Sequence, residues 1–252
     1  ILDLTSKADR DGAKTRYHVA VPVLRRIANF DDLDPLVADP DIQVTLVEAG
    51  TPLPMDADLV LLPGSKSTIA DLEFLRQQGW DIDIKALMRQ GAKIIGLCGG
   101  YQMMGKKIHD PEGLEGSNKS IEGLGLLDIE TVLEPKKTVK FSDGVETTTE
   151  AEVSGYEIHL GQSEGADCTR PMVAFADGRS DGAISPSGQA MGCYMHGLFV
   201  RDGFRSAWLK SATGQGSALA FDQVVETALD QLADHLEQHL DLDAIGRIAG
   251  LE

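Results

Sequence analysis

The stretch Lys93-Ile94-Ile95-Gly96-Leu97-Cys98-Gly99-Gly100-Tyr101-Gln102-Met103-Met104-Gly105 constrains the chain more than any other. It opens with a short apolar run that reads as a buried strand. It closes in small residues that begin a helical pattern, with one cysteine at the junction. A strand feeding a sharp turn and then a helix holds the side chain at the turn above the sheet, the strained arrangement of a nucleophile elbow. Glycines are needed on both sides because a Cβ there would clash. The helix N-terminus favours a thiolate through its backbone N–H groups and dipole. A lone cysteine at a strand end is usually core; the Gly-x-Cys-Gly-Gly setting is what points to Cys98 as a nucleophile.

The surrounding pattern alternates strands and helices. His18–Val23, Ile42–Val47 and Leu59–Leu62 read as strands. Helical spacing follows in Ile69, Leu72 and Leu75 and again in Ile82 and Leu87, with Gly79 and Gly91 as stops. This predicts an α/β fold: a mostly parallel central sheet with helices on both faces. Pro22 either confines the first strand to an edge or ends its pairing. Ligands of such sheets bind at the carboxyl ends of the strands, where Gly64 and Cys98 both fall. Asn29-Phe-Asp-Asp-Leu-Asp-Pro-Leu36 carries three aspartates, suited to capping a short helix or to a metal- or phosphate-associated loop.

From Gly113 the texture changes. Leu124–Leu133, Thr138–Phe141, Ala151–Gly161 and Met172–Ala176 are short strand-like runs between turn residues, which predict an antiparallel extension of the same sheet. Asp181–Ser185 and Ala190–Met195 read as a hairpin-like pair that delivers His196 to a strand end. Phe204–Ala212 and Phe221 to about Leu240 close the chain as helices. Residues 1–16 are polar and aperiodic and read as a linker or the end of an upstream domain, leaving 17–252 as one domain.

The charge balance excludes some functions. With 23 Lys+Arg against 40 Asp+Glu, a net charge of −17 argues against nucleic-acid binding. No apolar run approaches the roughly 20 residues of a membrane span, and no secretory signal is visible. Three widely spaced cysteines suit reduced thiols and a cytoplasmic location.

A nucleophilic cysteine needs a base and a place for negative charge. Among six histidines, His235 and His239 flank Glu237 without forming the His-Glu-x-x-His metal pattern. His18 and His109 are uninformative. His159 and His196 lie at strand ends, and the glycine after His196 permits close backbone approach. A thiolate–imidazolium pair can attack an amide carbonyl, expel ammonia and leave a thioester for water. The backbone N–H of Gly99 is a natural oxyanion donor, and a second is expected near Gly64-Ser65. Pro63–Thr68 lacks the spacing of a nucleotide-binding loop.

Gly96-Leu-Cys-Gly-Gly-Tyr-Gln-Met-Met-Gly105 resembles the nucleophile motif of triad-type (class I) glutamine amidotransferases. With it, in matching order, come Val21–Leu36 (including Asn29–Leu36), Leu61-Leu-Pro-Gly-Ser-Lys-Ser-Thr68, Gly155-Tyr-Glu-Ile-His-Leu-Gly161 and Tyr194-Met-His-Gly-Leu-Phe199. Together they are similar to the cobyric acid synthase branch of that family. The resemblance implies a flavodoxin-like amidotransferase fold that hydrolyses glutamine, with no cofactor in this chain. The ammonia is then used by an ATP- and Mg-dependent N-terminal synthetase domain, whose corrinoid substrate, adenosylcobyrinate a,c-diamide, is amidated on its side-chain carboxylates.

By the same resemblance Cys98 is the nucleophile, His196 the catalytic histidine, Gly64 and Gly99 the oxyanion positions and Gln102 a substrate contact. Most of the wider class has a glutamate two residues after the histidine; here that position is Leu198. Glu157 or a backbone carbonyl is then expected to orient His196, unless the site works as a dyad. Alternatives are a stand-alone amidotransferase subunit such as those of lipid II amidation, a cysteine peptidase of this fold, or a binding module without catalysis.

Overall fold

The computed structural model describes residues 16–116 and 120–250. The expected linker therefore lies, apart from Arg16, outside the described residues. Five parallel strands, first to fifth in chain order, are Tyr17–Pro22, Ile42–Val47, Leu59–Leu62, Lys93–Leu97 and Ala190–Cys193. They lie side by side in the order 2-1-3-4-5, the flavodoxin-like arrangement.

Both faces of this sheet are buried, so its central strands are apolar at almost every position. Residues alternate between two cores. Val60, Leu62 and Ile94 meet Leu72, Leu75, Trp80 and Leu87 of the helices Thr68–Gln77 and Trp80–Arg89. Leu59, Leu61, Ile95 and Leu97 join Leu33, Leu36 and, from the helix Asp202–Thr213, Phe204 and Trp208. Pro22 does not make the first strand an edge: the strand runs between the second and third, and the proline is its last residue. The missing N–H falls where the ladder stops.

The antiparallel extension of this sheet is a single strand, Ala183–Ile184, paired with the fifth. The other antiparallel runs form a second sheet instead of lengthening the first. Its order is Ser180–Asp181, Val173–Phe175, Glu130–Glu146, Glu152–Glu164, Met195–His196. The long ribbon of Glu130–Glu146 and Glu152–Glu164 shifts register between Leu160 and Gln162. Gly161 sits in that bulge at φ +89, where a Cβ would lie 2.3 Å from the Val132 carbonyl oxygen.

The chain crosses from one sheet to the other at Tyr194. Both N–H groups of the crossover, from Tyr194 and Met195, donate to one buried carboxylate oxygen of Asp181, at 2.8 and 3.1 Å. Burial raises the Asp181 pKa to about 7, against the pull of these bonds.

The expected single domain, 17–252, divides into two compact units between Ser217 and Ala218. The second contains the helix Phe221–His239 and a further helix, Leu242–Ala249. Among the described residues no helix is long and apolar enough to cross a membrane.

Candidate active site

Four chain segments converge at the carboxyl ends of the parallel strands. The fourth strand ends at Leu97, and Cys98 follows at φ 50, ψ −109, before the helix Gly99–Met104. A non-glycine residue there is strained and is kept in place only by its surroundings. The surroundings are tight. A Cβ on Gly100 would lie 2.1 Å from the Leu62 carbonyl oxygen, and one on Gly96 would lie 2.7 Å from the Gly100 carbonyl. The Cys98 N–H donates to the Cys193 carbonyl at 2.8 Å, tying the elbow to the fifth strand.

The turn after the third strand abuts the same elbow. A Cβ on Gly99 would lie 2.9 Å from the Ser65 nitrogen, and one on Gly64 2.8 Å from His196 Cε1. Both glycines singled out as oxyanion positions therefore lie where side chains have no room.

His196 ends the short strand Met195–His196, which pairs with the ribbon at Tyr156. Its imidazole meets the Cys98 sulfur. On its far side, Nδ1 lies 2.7 Å from Asp32 Oδ2, while Asp32 Oδ1 accepts the Gly197 N–H at 2.6 Å. Both side chains are buried. Burial favours a neutral ring, but the Asp32 carboxylate and the Cys98 sulfur outweigh it and raise the His196 pKa to about 10. The site thus favours an imidazolium beside the Cys98 sulfur, with Nδ1–H donating to Asp32.

Asp32 is the residue that sequence reasoning missed. It sits on the one-turn 3-10 helix Phe30–Leu33, entered through Asn29 at φ 52. Leu33 and Leu36 are buried in the core, which anchors the turn. The aspartate-rich segment was conspicuous in the sequence; neither helix capping nor a metal loop describes what Asp32 does. Glu157, expected to orient His196, is engaged elsewhere. Arg179 donates to its two oxygens at 2.9 Å each, and the Ser142 hydroxyl donates to Oε1. Burial opposes ionisation of Glu157, yet these bonds prevail and its pKa is lowered.

Gln102 lies one turn into the helix behind Cys98. Thr68 Oγ1 donates to its Oε1 at 3.0 Å, and its Nε2 donates to the Leu160 carbonyl at 2.9 Å. The Cys98 thiol donates to the Ile158 carbonyl at 3.3 Å. Alternate carbonyls of one strand edge thus face Cys98 and Gln102. His159 stacks on Tyr194 with ring centroids 3.8 Å apart, and Tyr194 Oη is 2.6 Å from Ser163 Oγ. Burial lowers the His159 pKa, only partly offset by the Gly161 carbonyl and Glu157. The remaining histidines serve elsewhere: His18 bonds Thr45, His109 bonds Glu130, and His235 stacks on His239. Among the described residues no group of three or more His, Cys, Asp or Glu is placed to hold a metal ion.

A strained cysteine at the end of the fourth strand, with a histidine beyond the fifth and a buried carboxylate behind it, forms a candidate catalytic site on a flavodoxin-like sheet. Solved structures share the fold. PurLQS from Thermotoga maritima matches with a TM-score of 0.53 at 17% identity, over 72% of this chain and 87% of that one. A glutamine amidotransferase crystal structure matches with a TM-score of 0.53 at 14% identity, over 78% of this chain and 98% of that one.

The family profile described as the CobB/CobQ-like glutamine amidotransferase domain matches residues 18–204. The chain belongs to that family. It is 51% identical to the cobyric acid synthase of Methylobacterium nodulans over 95% of this chain, and 54% identical to that of Paracoccus denitrificans over 92%. It is 52% identical to the Rhizobium meliloti protein over 96%. The chain spans about half the length of these relatives, 48 to 49%.

Proposed function

We propose that this chain hydrolyses glutamine to glutamate and ammonia through a cysteinyl thioester. The observation that carries the reading is the line Cys98–His196–Asp32, closed by a 2.7 Å bond between buried groups. Cys98, as thiolate, attacks the side-chain amide carbon. His196, held with its proton on Nδ1 by Asp32, receives the thiol proton and returns it to the leaving nitrogen, which departs as ammonia. Water, deprotonated by His196, then cleaves the thioester and frees glutamate. The Gly99 N–H and the Gly64 turn stabilise the two oxyanions, and Gln102 contacts the substrate. Donors of this kind are worth about 10²–10³ each in rate.

The ammonia feeds an ATP-dependent, Mg-requiring amidation of corrinoid side-chain carboxylates, adenosylcobyrinate a,c-diamide being the acceptor. The relatives named cobyric acid synthase support this, and the synthetase half is the partner. Three free thiols agree with a reducing, cytoplasmic setting.

The test is glutamine-dependent ammonia release by this chain, alone and then with the synthetase half, ATP and corrinoid. Release that rises with the partner is expected. Release indifferent to it would assign the ammonia to another ligase, and silence in both would remove Cys98 from catalysis. Cys98→Ser should abolish glutamine use and spare amidation driven by added ammonium.

A further inference from the structure

The ribbon over the nucleophile has one covered face and one open face. On the covered face Glu157 and Ser142 are buried under Arg179. On the other, Val139, Phe141 and Tyr156 are 65%, 52% and 53% exposed. Strand register sets Phe141 opposite Tyr156 and Val139 opposite Ile158, and the two rings meet edge to face at 5.0 Å. Three large apolar side chains, contiguous and open to water, are costly unless something covers them.

The place of this face in the site argues what covers it. Ile158 gives its carbonyl to the Cys98 thiol, and Tyr156 is the backbone partner of His196. Val139 and Phe141 are thus one strand away from the residues that frame the reacting centre. Ammonia made at Cys98 is a poor nucleophile once protonated in bulk water, so its acceptor has to be apposed to this site. A second copy of the chain would set one ammonia source against another. The cobyric acid synthase relatives, by contrast, carry about as much chain again outside the matched half.

We infer that the Val139–Phe141–Tyr156 face is the docking surface for the acceptor-activating synthetase half, closing over the mouth of the glutamine site. The inference rests on the amidotransferase reading above and adds the surface through which the two activities are joined. Aromatic residues at the centre of an interface commonly carry most of its binding energy, and Phe141 and Tyr156 are placed to do so.

The test uses Val139→Asp and Phe141→Asp, with Phe141→Ser as a milder variant and a thermal melt to verify folding. Each is measured in three ways: glutamine hydrolysis by the chain alone, sedimentation with the remaining half of a cobyric acid synthase as a separate polypeptide, and amidation driven by glutamine or by ammonium. Hydrolysis and ammonium-driven amidation should stay within about twofold, while association and glutamine-driven amidation fall by about tenfold or more. Unchanged association in the folded variants would overturn the inference. So would failure of the unmodified chain to associate, or a change confined to self-association. If the unmodified chain hydrolyses no glutamine either alone or with that half, ATP and corrinoid, the amidotransferase reading fails, and the sedimentation arm still decides the surface.

Discussion

Asp32 Oδ2 lies 2.7 Å from His196 Nδ1, although 164 residues separate them in the chain. The same carboxylate takes the Gly197 N–H through its other oxygen, so it positions both the ring and the backbone that carries it. Asp32→Asn should lower kcat for glutamine hydrolysis by about 10²–10⁴-fold, the range of general acid–base catalysis, with little change in KM. Asp32→Glu should recover part of the loss. An equal fall in both variants, with KM raised, would mean that Asp32 only supports the fold. Steady-state kinetics of the two variants decides between these.

The raised pKa of His196, about 10, sets the pH behaviour. In the proposed reaction an imidazolium protonates the departing nitrogen, so the alkaline limb of kcat should fall as pH rises through about 10. Without the Asp32 carboxylate the charged ring loses its main support, and in Asp32→Asn this limb should move to lower pH by more than one unit. The stability contributed by the pair is complete below the unfolded imidazole value of 6.5, declines above it and is lost as pH passes about 10. Proton titration of the ring by NMR, with thermal melts across the same range, checks both.

Gly100 should tolerate no side chain. A Cβ there meets backbone, the Leu62 carbonyl oxygen at 2.1 Å, and backbone cannot swing away as a flexible side chain can. Gly100→Ala should cost about 1–3 kcal/mol, the usual range for overpacking, and displace the elbow enough to silence Cys98. Chemical denaturation and glutaminase assays read the two effects separately. Gly203→Ala is the control: nothing lies within 4 Å of its Cβ position and its backbone is not left-handed, so it should leave the elbow and the activity intact.

The thiols should differ in reactivity. Cys193 is fully buried and its pKa is raised well above the ordinary range by that burial, with Asp181 adding to it. Cys98 lies at a helix N-terminus beside the His196 imidazole. Limited alkylation at neutral pH should label Cys98 first and leave Cys193 unmodified while the fold is intact. Peptide mapping by mass spectrometry gives the order, and preferential labelling of Cys193 would contradict the site as described.

Cys98 was legible in the sequence because its geometry is local. A strand, a turn without room for a Cβ and a helix follow one another within thirteen residues, Lys93 to Gly105, and steric rules act over that range. The parallel sheet was legible for a similar reason: strands buried on both faces are apolar throughout, and the alternation with helices leaves few ways to arrange them. His196 could be narrowed to one of two histidines at strand ends.

Which carboxylate serves His196 is a different kind of question. Glu157 lies in a strand directly paired with the histidine's own strand, yet its side chain turns to Arg179. Asp32 reaches the ring because the five strands run parallel, so the loop after the first strand and the residue beyond the fifth both lie at the carboxyl ends of the sheet. The separation of the antiparallel runs into a second sheet was likewise decided by pairing partners far apart in the chain. Local chemistry determined the elbow and the strands; the assembly of distant segments, which no short-range preference encodes, completed the site.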